Sequence, residues 1–187
     1  GNAHFDTTKG HIEYRKATAV DCTIDEAFDI AIDHPFKGNI DLQKLEVILQ
    51  QHPKEKIPFV LMTITCNSAG GQPVSIENMR AVRTLCNQYE VGFYIDAARF
   101  AENAYFIKIR EEEFAECSIK EIVQETFSLA DGMTMSAKKD GLVNMGGFIA
   151  LNDPKVYQSC STFAIMYEGF VTYGGMSGRD MGALAQG

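Results

Sequence analysis

Val91-Gly92-Phe93-Tyr94-Ile95-Asp96 is a short apolar run closed by a carboxylate, with Arg99 shortly beyond it. Its length and its aromatic and β-branched residues make it a buried strand. Carboxylates at the C-terminal ends of parallel strands point into the crevice where α/β proteins bind ligands. From the residues alone, Asp96 has two readings: a functional acid in such a crevice, or the N-cap of a helix that follows the strand.

Working outward, strand-like and helix-like segments alternate. Lys16 to Cys22 is predicted as a strand. Asp41 to Gln51 carries Leu42, Leu45, Val47, Ile48 and Leu49 at helical spacing behind an Asp cap. Ile57 to Thr65 is a near-continuous apolar run, which fits a buried strand. Asn67 to Pro73 is a loop, and Ser75 caps a helix that runs to about Tyr89. Beyond Asp96 come predicted helices over Ala101 to Phe114 and Ser118 to Leu129. A short strand over Leu129 to Thr134 and another over Gly147 to Leu151 follow, then an amphipathic helix after Asp153. This alternation predicts an α/β fold, a mainly parallel sheet with helices on both faces, in one domain.

A second element bears on Asp96. Met135-Ser136-Ala137-Lys138-Lys139-Asp140 puts two lysines where a strand runs out into a loop, and Gly146-Gly147 closes the loop. Small neighbours admit a flat cofactor, and a second cation beside an amine disfavours its ammonium form. A Schiff base between lysine and pyridoxal phosphate (PLP) is the leading chemistry for such a pair. A PLP site also needs an acid on the pyridinium nitrogen, and Asp96 suits that role. The other reading of Lys138-Lys139 is a solvated surface turn; both stay open on spacing alone.

A net charge of −8, from 17 basic and 25 acidic residues, argues against nucleic-acid binding. No apolar run reaches the length of a membrane span, and no signal-peptide pattern opens the chain. Cys22, Cys66, Cys86, Cys117 and Cys160 are scattered and free of CxxC spacing, which fits reduced thiols in the cytoplasm. The four histidines form no ligand cluster. Gly1 begins without lead-in and Tyr173 to Gly187 reads as the start of a further element, so a piece of a longer polypeptide is expected.

Several runs carry a resemblance: Phe5-Asp6-Thr7-Thr8, Phe36-Lys37-Gly38-Asn39, Asn67 through Ser75, Asp96 through Ile107, Met135 through Asp140, and Tyr167-Glu168-Gly169. With these, the chain resembles the β-eliminating lyases, PLP enzymes of the aspartate aminotransferase fold that include tryptophanases and tyrosine phenol-lyases. The likeness covers essentially all 187 residues. It implies that residues 1–187 are the central part of the large PLP-binding domain. The N-terminal arm, the phosphate-cup loop and the ring-stacking aromatic would then lie before Gly1, and the small domain after Gly187. It implies Lys139 as the Schiff-base residue, Lys138 and Ser136 on the phosphate side, and Asp96 on the pyridinium nitrogen. Arg99 and Asn67 match residues on the phenolic-oxygen side. Asn144 matches a backbone-carbonyl ligand of K⁺, and the complete protein is expected to be a homotetramer.

Phe5 to His11, Thr65 to Ser68 and Ser136 to Lys138 resemble tryptophanases, with Asp6 as a catalytic acid near the departing ring. The implied reaction converts L-tryptophan to indole, pyruvate and ammonia. Leu142 to Phe148 and Ser177 to Met181 lean instead to the tyrosine phenol-lyases, which release phenol from L-tyrosine. Two further readings stand beside these: Asp6 as a turn cap, and the chain by itself as an inactive structural fragment.

Overall fold

In the computed structural model, which describes residues 1–186, four strands form a single sheet in sequence order. They are β1 (Phe59–Thr63), β2 (Gly92–Asp96), β3 (Gly132–Ser136) and β4 (Gly147–Leu151). β1, β2 and β3 run parallel, and β4 returns antiparallel to β3. The register sets Thr63, Asp96 and Thr134 side by side at the C-terminal end of the parallel strands. The expected α/β fold with a mainly parallel sheet is what the chain adopts.

Seven α-helices surround the sheet: α1 (Asp6–Tyr14), α2 (Leu42–Gln51), α3 (Ile76–Gln88), α4 (Phe100–Arg110), α5 (Ile119–Ser128), α6 (Pro154–Tyr167) and α7 (Gly178–Gln186). The main core lies on the face of Phe93 and Ile95, both wholly buried. Val60, Met62 and Ile64 extend that face, and Leu45, Leu49, Met79, Val82, Ala104, Ile107 and Ile122 cover it from α2 to α5. The opposite face carries a lighter cover. Along the outer edge of β1, Asn2 donates to Thr63 O and accepts from Thr63 N, both at 2.9 Å. α6 packs against β4.

Local chemistry starts most helices where the residues predict. Asp41 accepts from Gln43 N and Lys44 N, and Ser75 from Asn78 N. Ser118 and Glu121 form a reciprocal capping box, and Asp153 caps α6 ahead of Pro154. Three expectations need correcting. Lys16 to Cys22 forms no strand: Lys16 lies in a turn with φ +61°, the residues after it have no ladder partner, the one neighbouring bridge joins Thr23 to Ile40, and only Cys22 is buried. Ala101 to Phe114 is not one helix, since α4 ends at Arg110 and Glu112–Phe114 is a separate 3₁₀ turn. The strand expected from Leu129 begins at Gly132, because Leu129 still caps α5. In the terminal stretch, α7 forms and Gly187 lies outside the described residues.

Candidate active site

The C-terminal ends of the parallel strands deliver the site. β1 ends into the 3₁₀ turn Asn67–Ala69, β2 ends at Asp96, and β3 ends at Ser136 just before the lysine pair. Arg99 sits at the start of α4. A crevice of about 310 Å³ opens here, walled by Asn67, Asp96, Arg99, Ser136, Lys138 and Lys139 together. That volume is at the small end for ligand pockets. A larger hollow of about 550 Å³ beside Glu77 and Arg80 is a poorer candidate, because Arg80 is already paired with Glu113 and Glu125 at 2.9 Å.

The loop that carries the lysines is held at its base. Ala137 N donates to Gly146 O and Val143 N to Ala137 O, while Leu142 N donates to Lys139 O. Gly141 is needed because a Cβ there would stand 2.6 Å from Ala137 O. Gly146 takes a φ of +102°, which side chains disfavour.

Lys139 is half-buried and Lys138 exposed, so the pair is not a uniformly solvated turn. The Lys139 amine donates to Ser136 Oγ at 2.8 Å. Burial pushes its pKa below the ordinary lysine value. The charges of Lys138 and Arg99 push the same way, and Asp96 opposes them. Burial is a larger influence on this amine than the neighbouring Lys138 charge. Burial also raises the Asp96 pKa, against a long bond from Ala98 N at 3.4 Å and the nearby Lys139 charge. Asp96 is not the cap of α4, since Arg99 holds the N-cap position. Arg99 Nη1 donates to Asn67 Oδ1 at 3.1 Å, which orients the guanidinium at the crevice edge.

The remaining site candidates stand apart. Asp6 is exposed in the first turn of α1, and its carboxylate accepts from Thr7 N at 2.6 Å. Its neighbours Phe5, Thr7 and Thr8 wall the crevice, whereas Asp6 is not among the lining residues. Asn144 is exposed on the loop between β3 and β4. One such residue does not make a cation cage. Phe5 was missed as a wall residue by the expectation of an aromatic before Gly1. A lone Phe ahead of a weakly patterned helix carries no signal of its own. Thr65 was missed as well: its buried Oγ1 lacks a hydrogen-bond partner among the described residues, at the back of the same crevice.

The model of the family described as beta-eliminating lyase matches residues 1–183. The chain belongs to the β-eliminating lyases. A protein of Trichomonas vaginalis named as a β-eliminating lyase is 62% identical over 187 residues. A tryptophanase of Hyphomonas neptunium is 55% identical over 186 residues, and a tyrosine phenol-lyase of Pasteurella multocida 50% over 187. Each alignment covers all of this lyase chain and 41% of the relative, so the chain spans about two fifths of the length of the curated relatives it matches. Among solved structures, a protein of Exiguobacterium sp. 255-15 described as an aromatic amino acid β-eliminating lyase/threonine aldolase matches with a TM-score of 0.59. It is 16% identical, with 88% of this chain and 38% of that one covered, and it bears on the fold alone. Lyases of this family imply PLP, and the residues here fit it. A half-buried carboxylate with a single long hydrogen bond suits a protonated ring nitrogen, and a half-buried amine with lowered pKa suits covalent attachment.

Proposed function

We propose that this chain forms the cofactor-binding part of a PLP-dependent lyase that eliminates the side chain of an aromatic amino acid, with L-tryptophan as substrate and indole, pyruvate and ammonia as products. The observation that carries this reading is the Lys139 amine and the Asp96 carboxylate in one crevice, each with its pKa shifted by burial. When bound, PLP supplies an electron sink conjugated to the substrate α-carbon.

The roles of the chain's own groups follow from their chemistry. Lys139 would hold the cofactor covalently and, once freed by the substrate amine, take the α-proton; its lowered pKa keeps more of the neutral base at working pH. Asp96 would hold a proton at the ring nitrogen. Arg99 and Asn67 would donate to the phenolic oxygen, and Ser136 and Lys138 would bind phosphate oxygens. Phe5, which walls the crevice, would cover one face of a flat ring. Indole departs only after protonation at the carbon that bears the side chain, and Asp6 is the acid assigned to that step. For this its carboxylate must turn from Thr7 N toward the crevice.

The preference for tryptophan rests on the tryptophanase-like stretch Phe5 to His11. L-tyrosine is the second reading, favoured by Leu142 to Phe148 and by relatives of both names at similar identity. K⁺ at the Asn144 carbonyl, a cytoplasmic setting and a homotetramer complete the proposal. All five cysteines are free, in keeping with a reducing compartment. The test is product analysis of the complete polypeptide given L-tryptophan, L-tyrosine and an S-alkyl cysteine. Indole with pyruvate is expected from tryptophan. Asp6→Ala should slow that reaction sharply while sparing the S-alkyl cysteine, whose leaving group departs unprotonated at carbon. Phenol outpacing indole would reassign the substrate, and no pyruvate from any of the three would overturn the lyase reading.

A further inference from the structure

α4 begins without a cap of its own. Arg99 holds the N-cap position and its side chain makes no capping bond. The first N–H groups of a helix have no intrahelical acceptor and ordinarily find one in the N-cap side chain. Here the acceptor arrives from a distant part of the chain. The Asp140 carboxylate accepts from Ala101 N at 2.7 Å and from Glu102 N at 3.3 Å. Asp140 is the residue directly after Lys139.

We propose that Asp140 is a positioning residue: it clamps the Lys139 loop to the N-terminus of α4 and so fixes the Lys139 amine relative to Asp96 and Arg99. The inference rests on reading Lys139 as the reactive amine. Both ends of the clamp are themselves held. On the α4 side, Ala97 N donates to Thr134 O at 2.8 Å and Arg99 N to Ile64 O at 3.1 Å, which ties the segment from Asp96 to Arg99 to both neighbouring strands. On the loop side, the Ala137–Gly146 and Ala137–Val143 bonds close the base, but they lie behind the lysines. The Lys139 bond to Ser136 reaches only the end of β3, three residues back along the same chain, and does not touch the α4 segment. Asp140 joins the loop directly to the segment that bears Asp96 and Arg99. A carboxylate is well suited to this place, because a helix N-terminus carries partial positive charge.

The clamp also governs the electrostatics of the amine. The groups acting on Lys139 are Lys138 from its own loop, Arg99 from the start of α4 and Asp96 from the end of β2, together with burial in the crevice. All but Lys138 depend on how closely the loop is docked. Loosening it should return the amine toward ordinary lysine behaviour.

The experiment uses the complete polypeptide stripped of cofactor, as wild type, Asp140→Ala and Asp140→Asn. Lys139 is labelled with trinitrobenzenesulfonate across a pH series and read by peptide mapping, and amide hydrogen exchange is followed at Ala101 and Glu102. In Asp140→Ala, exchange at these amides should rise by about twofold to thirtyfold, the worth of a lost cap. The midpoint of Lys139 labelling should move to higher pH. Restored holoenzyme should lose on the order of a hundredfold in kcat with KM altered less, as expected for a misplaced reacting group. Asp140→Asn keeps an acceptor oxygen and should rescue both the exchange and the labelling profile. If Asp140→Ala does not fold, Asp140→Glu, one methylene longer, must shift the labelling midpoint on its own. Faster exchange with an unmoved Lys139 midpoint would reduce Asp140 to a cap and overturn the proposal, as would unchanged exchange. An ordinary lysine profile for Lys139 in the wild type, together with cofactor attached elsewhere, would instead overturn the reading of Lys139 while leaving the exchange result to report on the clamp.

Discussion

Asp96 serves two opposed demands. Its carboxylate must be ionised to hold a proton on a ring nitrogen, yet burial raises its pKa above the ordinary aspartate value. In the cofactor-free protein the sign follows directly. Below the unfolded pKa the group is protonated in both states and costs nothing. As pH climbs through the interval up to the raised folded pKa, the unfolded chain ionises first and stability falls. Asp96→Asn should therefore raise the melting temperature of the cofactor-free protein at pH 7, and the gain should vanish near pH 3; thermal melts at the two pH values check this. The same substitution, or Asp96→Ala, should cost the holoenzyme about 4 kcal/mol or more in transition-state stabilisation, read from kcat/KM. A residue that merely capped a helix would show the reverse, with a loss of about 1 kcal/mol of stability and near-normal turnover.

At the scale of elements, the loop from Ala137 to Gly146 converts a plain β3–β4 return into a platform for Lys139. Gly141→Ala would press a methyl group against Ala137 O. Overpacking of this kind costs about 1–3 kcal/mol, and denaturant unfolding should show that loss together with weaker cofactor retention. The strands and most helices were legible because they obey rules the residues display: short apolar runs, one of them closed by Asp96, and Asp41, Ser75 and Ser118 at helix caps. α1 was not legible, since Ile12 and Tyr14 are its only apolar positions and make no stripe to read. Lys16 to Cys22 misled for the opposite reason: its residues suit a strand, but no neighbouring strand receives it. Within the site, Lys139 and Asp96 were legible at strand ends, where position and chemistry coincide, whereas the roles of Arg99 and Asn67 came from the resemblance alone. Asp140 was quoted only as part of a motif. Its role depends on a partner in α4 that no local pattern reveals.

Across the whole molecule, the C-terminal ends of β1, β2 and β3, with Phe5 and the first turn of α1, gather residues into a single crevice. Phe148, Tyr157, Phe163, Phe170 and Tyr173 are all exposed on β4, α6 and the turn after it. Light scattering of the complete polypeptide should give the mass of a homotetramer, and a monomer at working concentration would remove that part of the proposal. The central claim is that Lys139 carries PLP within reach of Asp96. Borohydride reduction of the holoprotein, followed by peptide mapping, tests it most directly. The phosphopyridoxyl label is expected on Lys139 alone, with Lys138 unlabelled; label on Lys138, on another lysine or on none would contradict it.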